Sequence, residues 1–155
     1  MNCNICNSKS DYIFNSTILK KYDIKYFFCK NCGFLQTEKP YWLNEAYKSP
    51  INLTDTGLVQ RNLNLSKKTS IIIFFWFKKS SKYLDFAGGY GLFVRLMRDI
   101  GFNYFWEDLY TENLMAVGFE NSKEEEKFEL ISTFETFEHF ENPILELEAM
   151  LKYSK

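Results

Sequence analysis

Four cysteines, all within the first 32 positions of this 155-residue chain, carry the most specific chemistry in the sequence. They form two pairs with a two-residue spacing, which lets a tight turn present two thiolates to one metal ion: Cys3 with Cys6, and Cys29 with Cys32. Four thiolates favour a closed tetrahedral zinc site with a structural role, because no coordination position is left for a catalytic water. Gly33 follows the second pair, where a metal knuckle needs a residue with positive φ.

Two other uses of these cysteines are a pair of disulfides and a redox-active pair. The sequence begins with MNCNICNSKS, which lacks the basic region and apolar core of a secretory signal, so we expect a cytoplasmic location. Disulfides are disfavoured in that compartment. The sequence therefore predicts a structural zinc ribbon over residues 1–40.

A second candidate site is the glycine-rich segment KYLDFAGGYGLF, Lys82 to Phe93. Its apolar start, its acid Asp85 and its glycines are typical of a strand followed by a loop that lets a ligand approach the backbone. A dinucleotide loop that starts at Gly89 and Gly91 needs its third glycine at position 94, where Val94 stands. NAD is therefore disfavoured as the ligand. The loop is expected to bind a different nucleoside cofactor, and the alternative is a turn with a purely structural role.

Carboxylates follow the glycine loop at separations that suit a nucleoside site. Asp108 lies 19 residues after Gly89, close to the separation at which an acid accepts hydrogen bonds from ribose hydroxyls. Glu107 is adjacent, but neighbouring strand residues face opposite sides, so we predict Asp108. Glu135 follows a later predicted strand and should reach the cofactor, because ligands bind at the carboxyl ends of parallel strands. A surface acid is the alternative for Asp108.

His139 is the only histidine in the chain and lies beside Glu138. Histidine takes up and releases protons near neutral pH, so His139 could act as a general base. The alternative is a packing or capping role at the start of the helix that begins near Pro143.

Strands and helices must position these residues. Alternating apolar and polar residues between the cysteine pairs predict short antiparallel strands, followed by a linker to about Pro40 and then helical pieces. Thr54 or Asp55 is expected to cap a helix that breaks near Ser66 and then continues through the apolar run 71–77. Further strands are predicted at 83–86, 103–106, 116–119 and 128–134, and further helices at 92–100 and 143–153. This alternation predicts an α/β fold with a Rossmann-like parallel sheet in residues 41–155, preceded by the zinc ribbon.

Composition limits the partners. Apolar residues make up 46% of the chain, and the net charge is −1, so no overall field attracts nucleic acid or a membrane. The apolar run IIIFFWF, Ile71 to Phe77, is too short to span a bilayer, and we expect it to be a buried element rather than a membrane-surface anchor. The predicted partner is a small molecule, with no nucleic acid and no membrane.

The segment LDFAGGYG resembles the first motif of class I S-adenosylmethionine (SAM)-dependent methyltransferases, with Ala87 at the position of the first glycine. The resemblance implies that Asp85 lies near the amino end of the methionine portion. It also implies that Gly89 to Gly91, with Gly88 before them, pass beneath the ribose and the amino acid, and that Asp108 binds both ribose hydroxyls. Alanine should be tolerated at position 87 if its φ is negative.

The run FETFEHFENP, together with the four cysteines, is similar to the sugar C-methyltransferase group, whose members carry an N-terminal zinc-binding domain. This resemblance implies a small methyl acceptor such as a nucleotide-linked sugar, with His139 removing a proton next to a carbonyl and Glu138 supporting it. Since a complete domain of this class has more strands than predicted here, we expect a C-terminally truncated copy. The alternative function is a zinc-ribbon interaction module with a non-catalytic SAM-like scaffold.

Overall fold

The computed structural model describes residues 1–46, 56–122 and 126–155, and the chain forms two compact units. The first unit comprises Met1–Ser49 with Phe137–Glu148, and the second comprises Pro50–Thr136 with Ala149–Lys155. The expected helix caps Thr54 and Asp55 lie outside the described residues. The predicted domain boundary between residues 40 and 41 stays a prediction.

The first unit contains an antiparallel sheet with the strand order β1-β2-β3. Strand β1 is Asp11–Ile18, β2 is Tyr22–Phe28 and β3 is Leu35–Thr37. The first two are the hairpin that the alternating sequence predicts, and β3 was not predicted. Two short elements follow in this unit, helix α1 (Leu43–Ala46) and a 3₁₀ turn (Phe137–His139).

The second unit is built on a parallel sheet with the strand order β5-β4-β6 among the described residues. Strand β4 is Lys82–Phe86, β5 is Asn103–Glu107 and β6 is Leu130–Ser132. The central strand β4 is buried from Tyr83 to Phe86, as expected for a parallel strand covered on both faces. The predicted α/β class with a Rossmann-like parallel sheet is confirmed.

Helix α3 (Leu92–Ile100) joins β4 to β5 and begins and ends where the sequence predicts. Gly91 precedes it and Gly101 follows it, both with left-handed backbone conformation, φ 83° and φ 99°. Its buried side chains pack in one core with Ile73, Tyr83 and Tyr104. Helix α3 thus fixes the glycine loop against the carboxyl end of β4.

Helix α2 (Leu58–Trp76) runs without the break that was predicted near Ser66, and Gly57 is its N-cap. The hydroxyl of Ser66 donates to the carbonyl of Leu63 at 2.9 Å, and that of Ser70 donates to the carbonyl of Ser66 at 2.6 Å. Because these hydroxyls are bonded to the preceding turn, the serines are compatible with a continuous helix.

The apolar run Ile71–Phe77 is mostly exposed, so the prediction of a buried element was wrong. The helical period turns Ser66, Thr69 and Ile73 toward the core, and five other side chains of the run are exposed: Ile71, Ile72, Phe74, Phe75 and Trp76. None of the helices in the described ranges is long and apolar enough to cross a membrane.

The strand predicted at 116–119 was also wrong. Asn113 Oδ1 accepts from the backbone N–H of Ala116 at 2.9 Å, and Gly118 has φ 86°, so this segment turns. A single parallel bridge joins Glu120 to Trp106. Strand β6 and helix α4 (Pro143–Leu151) are confirmed within shorter bounds than predicted.

Candidate functional site

The four cysteines converge on one point of the first unit. Their sulfur atoms all lie within 4.8 Å of one another, and Cys3 and Cys32 approach to 3.5 Å, as do Cys6 and Cys29. Zinc–thiolate bonds of about 2.3 Å in a tetrahedron place sulfurs about 3.8 Å apart. The cluster therefore fits one tetrahedral ion, and each CxxC turn contributes one partner to each close pair.

Local hydrogen bonds lower the pKa of the Cys3 and Cys6 thiols, whereas at Cys32 a backbone hydrogen bond at Phe34 is outweighed by burial and the neighbouring thiols, which raise the pKa. The Asn31 amide donates to Cys6 Sγ at 3.5 Å, and this bond, with help from Ser8, lowers the pKa of the Cys6 thiol to about 5. The backbone N–H of Ile5 donates to Cys3 Sγ at 3.4 Å. Gly33 has φ 77°, which confirms the positive φ predicted after the second pair. The four cysteines could hold zinc, and a bound cation would replace the remaining thiol protons.

The glycine loop lies at the carboxyl end of β4 in the second unit. Ala87, Gly89 and Gly91 all have positive φ, at 56°, 55° and 83°. The condition under which alanine should be tolerated at position 87, a negative φ, is therefore not met, and Ala87 adopts a backbone conformation that favours glycine. A side chain at Gly89 would meet nothing within 4 Å, so one side of the loop is open for a ligand to approach the backbone.

The other two glycines of the loop are packed closely against the protein. A Cβ at Gly88 would lie 2.8 Å from Trp106 Cδ1 and 2.9 Å from Asp85 Oδ2. A Cβ at Gly91 would lie 2.8 Å from the Cβ of Ala116. Gly88 and Gly91 are thus needed for the loop to lie flat on the sheet edge, and Gly89 is the residue presented outward.

Asp108 contacts the loop directly. Its Oδ2 accepts from the Gly89 N–H at 2.9 Å, and its Oδ1 accepts from the N–H groups of Tyr110 and Thr111, both at 2.8 Å. A carboxylate offers about four acceptor positions. These three donors leave one position, on Oδ2 beside Gly89, for a hydroxyl group of a ligand.

Glu107 faces different partners from Asp108, as the alternation of strand residues predicts. Its Oε1 accepts from the Tyr153 hydroxyl at 2.8 Å and its Oε2 accepts from the Asn121 amide at 2.6 Å. The two adjacent carboxylates therefore have separate roles: Glu107 accepts from the Gly88 N–H at 3.1 Å only through its backbone carbonyl, and the carboxylate bonded to the loop is that of Asp108.

Asp85 is buried beneath the loop, with 3% of its surface exposed. Its Oδ1 accepts from the Ser132 hydroxyl at 2.7 Å, and Ser132 is its register partner on β6. Burial raises the pKa of the Asp85 carboxyl from 3.8 to about 7; the Ser132 bond opposes this shift and the charge of Asp108 adds to it. The Asp85 carboxyl group therefore gains or loses its proton near neutral pH.

The remaining predicted site residues lie after β6. Glu135 belongs to the second unit, is exposed, and has φ 55°. Glu138 and His139 are exposed residues of the 3₁₀ turn in the first unit. Their roles in catalysis stay predictions. Phe119, which follows Gly118 in the turn after Asn113, packs against the core, and the Arg98 guanidinium lies 3.8 Å from the centre of its ring.

Two residues of the loop's surroundings were missed in the sequence. Trp106 donates from Nε1 to the Gly89 carbonyl at 2.8 Å, and Ser132 holds Asp85. The register of the parallel strands would have identified both residues, because Trp106 and Ser132 are the register partners of Asp85 on the two neighbouring strands. Assigning that register requires the sheet order, which the sequence alone did not provide.

The sheet and its loop define a class of protein. A parallel α/β sheet has a glycine loop after its central strand, and an acid directly after the neighbouring strand β5 is bonded to that loop. This is the arrangement of a nucleoside-cofactor domain. Val94, at the position of the third dinucleotide glycine, is fully buried in the core.

Residues 59–155 match the model of a family described as a methyltransferase domain, and the chain belongs to this family. Membership implies that SAM is the methyl donor. A search of curated proteins found no match to the chain.

Proposed function

We propose that this protein transfers a methyl group from SAM to a small molecule, such as a nucleotide-linked sugar. The observation that carries the proposal is the hydrogen bond from the N–H of Gly89, the loop glycine at which a side chain would meet nothing within 4 Å, to Asp108 Oδ2. It brings the acid and the glycine backbone together at the carboxyl edge of the sheet, where nucleoside ligands bind in α/β folds.

In this proposal the cofactor is held by residues at the ends of the three parallel strands: Asp85, Ala87, Gly88, Gly89, Gly91, Asp108 and Glu135. SAM supplies an electrophilic methyl group when bound. The outward backbone of Gly89 lies beneath the ribose, and the remaining acceptor position on Asp108 Oδ2 receives a ribose hydroxyl. Asp85 lies near the amino end of the methionine portion, where a bound ammonium group would favour the ionised carboxylate.

Backbone strain supports the same location. Ala87 follows β4 and Glu135 follows β6, and both have φ near +55° without being glycine. Each such residue costs about 1–3 kcal/mol, and strain of this kind collects at ligand sites. Two strained residues after adjacent strands therefore point to the edge of the sheet that the glycine loop occupies.

His139 and Glu138 complete the proposed chemistry. His139 removes a proton from the acceptor carbon next to a carbonyl, and Glu138 stabilises the imidazolium that forms. The enolate carbon formed in this way would accept the methyl group of bound SAM, and the SAM sulfur would keep the electron pair of the broken sulfur–methyl bond. His139 then returns its proton to solvent.

The four-cysteine cluster has a structural role in this proposal. Zinc held by Cys3, Cys6, Cys29 and Cys32 stabilises a ribbon over residues 1–40, and residues 41–155 form the SAM-binding part. All four coordination positions are taken by thiolates, so the ion has no place for a substrate.

Calorimetric titration of the purified, zinc-loaded chain with SAM tests the proposal. Asp108→Asn places an amide where Oδ2 accepts from Gly89, and we expect it to weaken SAM binding about tenfold or more, the effect of losing a hydrogen bond to a charged group. The matched control is Glu107→Gln, which removes the same charge one residue away and should leave the affinity unchanged. Failure of the folded wild-type chain to bind SAM would refute the proposal and favour the non-catalytic interaction module.

A further inference from the structure

The carboxyl-terminal part of helix α2 presents an apolar surface that the function proposed above does not use. We call this surface the α2 patch; it consists of five exposed side chains: Ile71, Ile72, Phe74, Phe75 and Trp76. The three aromatic residues are the most open of these, with 78%, 68% and 72% of their surfaces exposed in sequence order. Clusters of large exposed apolar side chains mark interaction sites.

Lysines stand on both sides of the α2 patch. Lys67 and Lys68 precede it and Lys78 and Lys79 follow it, and all four are exposed. Six of the chain's 19 Lys and Arg residues, but none of its 20 Asp and Glu residues, fall between positions 56 and 84. The α2 patch is thus set in a strongly basic stretch of a chain whose net charge is only −1.

The helix arranges these groups along one side. Lys67, Ile71 and Phe75 follow each other at intervals of four residues, so they lie on one face of α2, opposite the buried Ile73. Helix α2 ends at Trp76, and Lys78 and Lys79 follow directly after the extended residue Phe77. The apolar side chains lie between two pairs of lysines. This arrangement is complementary to a surface that offers hydrocarbon to the apolar side chains and negative charge to the lysines.

We propose that the α2 patch binds the surface of an anionic lipid bilayer. Phe74, Phe75 and Trp76 enter the boundary between headgroups and acyl chains, and the lysines contact lipid phosphates through their long side chains. Anionic lipids are concentrated in the cytoplasmic leaflet, which a cytoplasmic chain would meet.

Charge separates this occupant from the alternatives. A second copy of the chain bound through the same patch by a two-fold axis would place the lysines of both copies against each other. A nucleic acid would satisfy the lysines through its phosphates but offers no apolar surface to cover the aliphatic Ile71 and Ile72. A lipid bilayer satisfies both the lysines and the apolar side chains.

Co-sedimentation of the full chain with lipid vesicles tests the proposal. We expect binding to vesicles of equal parts phosphatidylcholine and phosphatidylserine, weaker binding at high salt, and little binding to pure phosphatidylcholine. The triple variant Phe74→Ser, Phe75→Ser, Trp76→Ser should lose about tenfold or more in vesicle affinity. The matched control is the triple variant of exposed leucines on α4, Leu145→Ser, Leu147→Ser and Leu151→Ser, which should bind as the wild type does.

Charge reversal gives an independent measurement. Reversing Lys67, Lys68, Lys78 and Lys79 to Glu should reduce binding to the mixed vesicles by more than about a hundredfold, at about fivefold per lysine near an anionic surface. The control replaces four exposed lysines outside the α2 patch by Glu: Lys9, Lys20, Lys25 and Lys39. Both charge-reversal variants then have the same net charge.

Three outcomes would overturn the proposal. They are no binding of the wild-type chain to mixed vesicles, equal losses in each variant and its control, and concentration-dependent self-association that the aromatic variant abolishes. Circular dichroism of every variant establishes that it is folded before its affinity is interpreted. SAM titration is independent of these outcomes, so the membrane proposal and the methyltransferase proposal can fail separately.

Discussion

The buried carboxyl group of Asp85 makes the stability of this protein depend on pH in a specific way. In the folded chain its pKa is raised to about 7 by burial, whereas the ordinary value is 3.8. Between these two values the folded state retains a proton that the unfolded state has released. Stability therefore falls as pH rises, by about 1.4 kcal/mol per pH unit. The penalty is absent below about pH 4 and complete above about pH 7, where it reaches about 4 kcal/mol.

The substitution Asp85→Asn should remove this dependence. Asparagine has the same shape, its carbonyl oxygen can still accept from the Ser132 hydroxyl, and it does not ionise. Relative to the wild type, the variant should gain about 3 kcal/mol in free energy of unfolding between pH 5 and pH 8. Because both proteins share every other titrating group, their difference isolates position 85.

The assay is urea unfolding followed by circular dichroism at several pH values between 5 and 8. Asp99→Asn is the matched control, because Asp99 lies on the surface of α3 in an i,i+4 ion pair with Arg95. Such a pair contributes little, so its variant should differ from the wild type by less than about 1 kcal/mol at every pH. Parallel stability curves for Asp85→Asn and the wild type would show that burial does not control this carboxyl group, and would refute the reasoning.

Two further predictions concern the loop and the cysteine cluster. Ala87→Gly should leave the stability unchanged or raise it by up to about 1 kcal/mol, because the strain relieved at this positive φ is at least as large as the entropy that glycine loses on folding. Thermal unfolding measures the change. The control Ala149→Gly, inside helix α4, should instead lower the stability by about 1 kcal/mol. Elemental analysis should find one zinc ion per wild-type chain. The Cys6→Ser variant should hold no zinc after dialysis against a chelator, and removing zinc from the wild-type chain should unfold the ribbon. A metal-free wild-type chain with an intact ribbon would contradict the second prediction.

Local chemistry accounts for what the sequence predicted well. Helix α3 was placed correctly at both ends because Gly91 and Gly101 mark its limits with their own backbone preferences. The paired spacing of the cysteines similarly brought four sulfurs together, since two short turns are enough to do so. Asp108 was favoured over Glu107 by the alternation of strand residues, and of the two carboxylates only that of Asp108 accepts a hydrogen bond from the glycine loop.

The incorrect predictions depended on packing that no short segment contains. The run Ile71–Phe77 is apolar enough for a core, but its burial is decided by which side of α2 meets α3, and only Ile73 is fully buried. The turn at 116–119 depends on Asn113, a residue outside the segment that was predicted as a strand. Ala87 adopts a glycine conformation because the close packing of its neighbour Gly88 on Trp106 and Asp85 fixes the loop.

The contact between Trp106 and the glycine loop has an optical consequence. The indole N–H is bonded to the Gly89 carbonyl, and its ring lies against Gly88, so the fluorophore is part of the loop's immediate surroundings. A molecule that settles on Gly89 would change the polarity and hydrogen bonding that this indole experiences. The protein therefore carries a built-in emission reporter at its candidate site, and replacing the other two tryptophans, Trp42 and Trp76, would leave its signal alone in the spectrum.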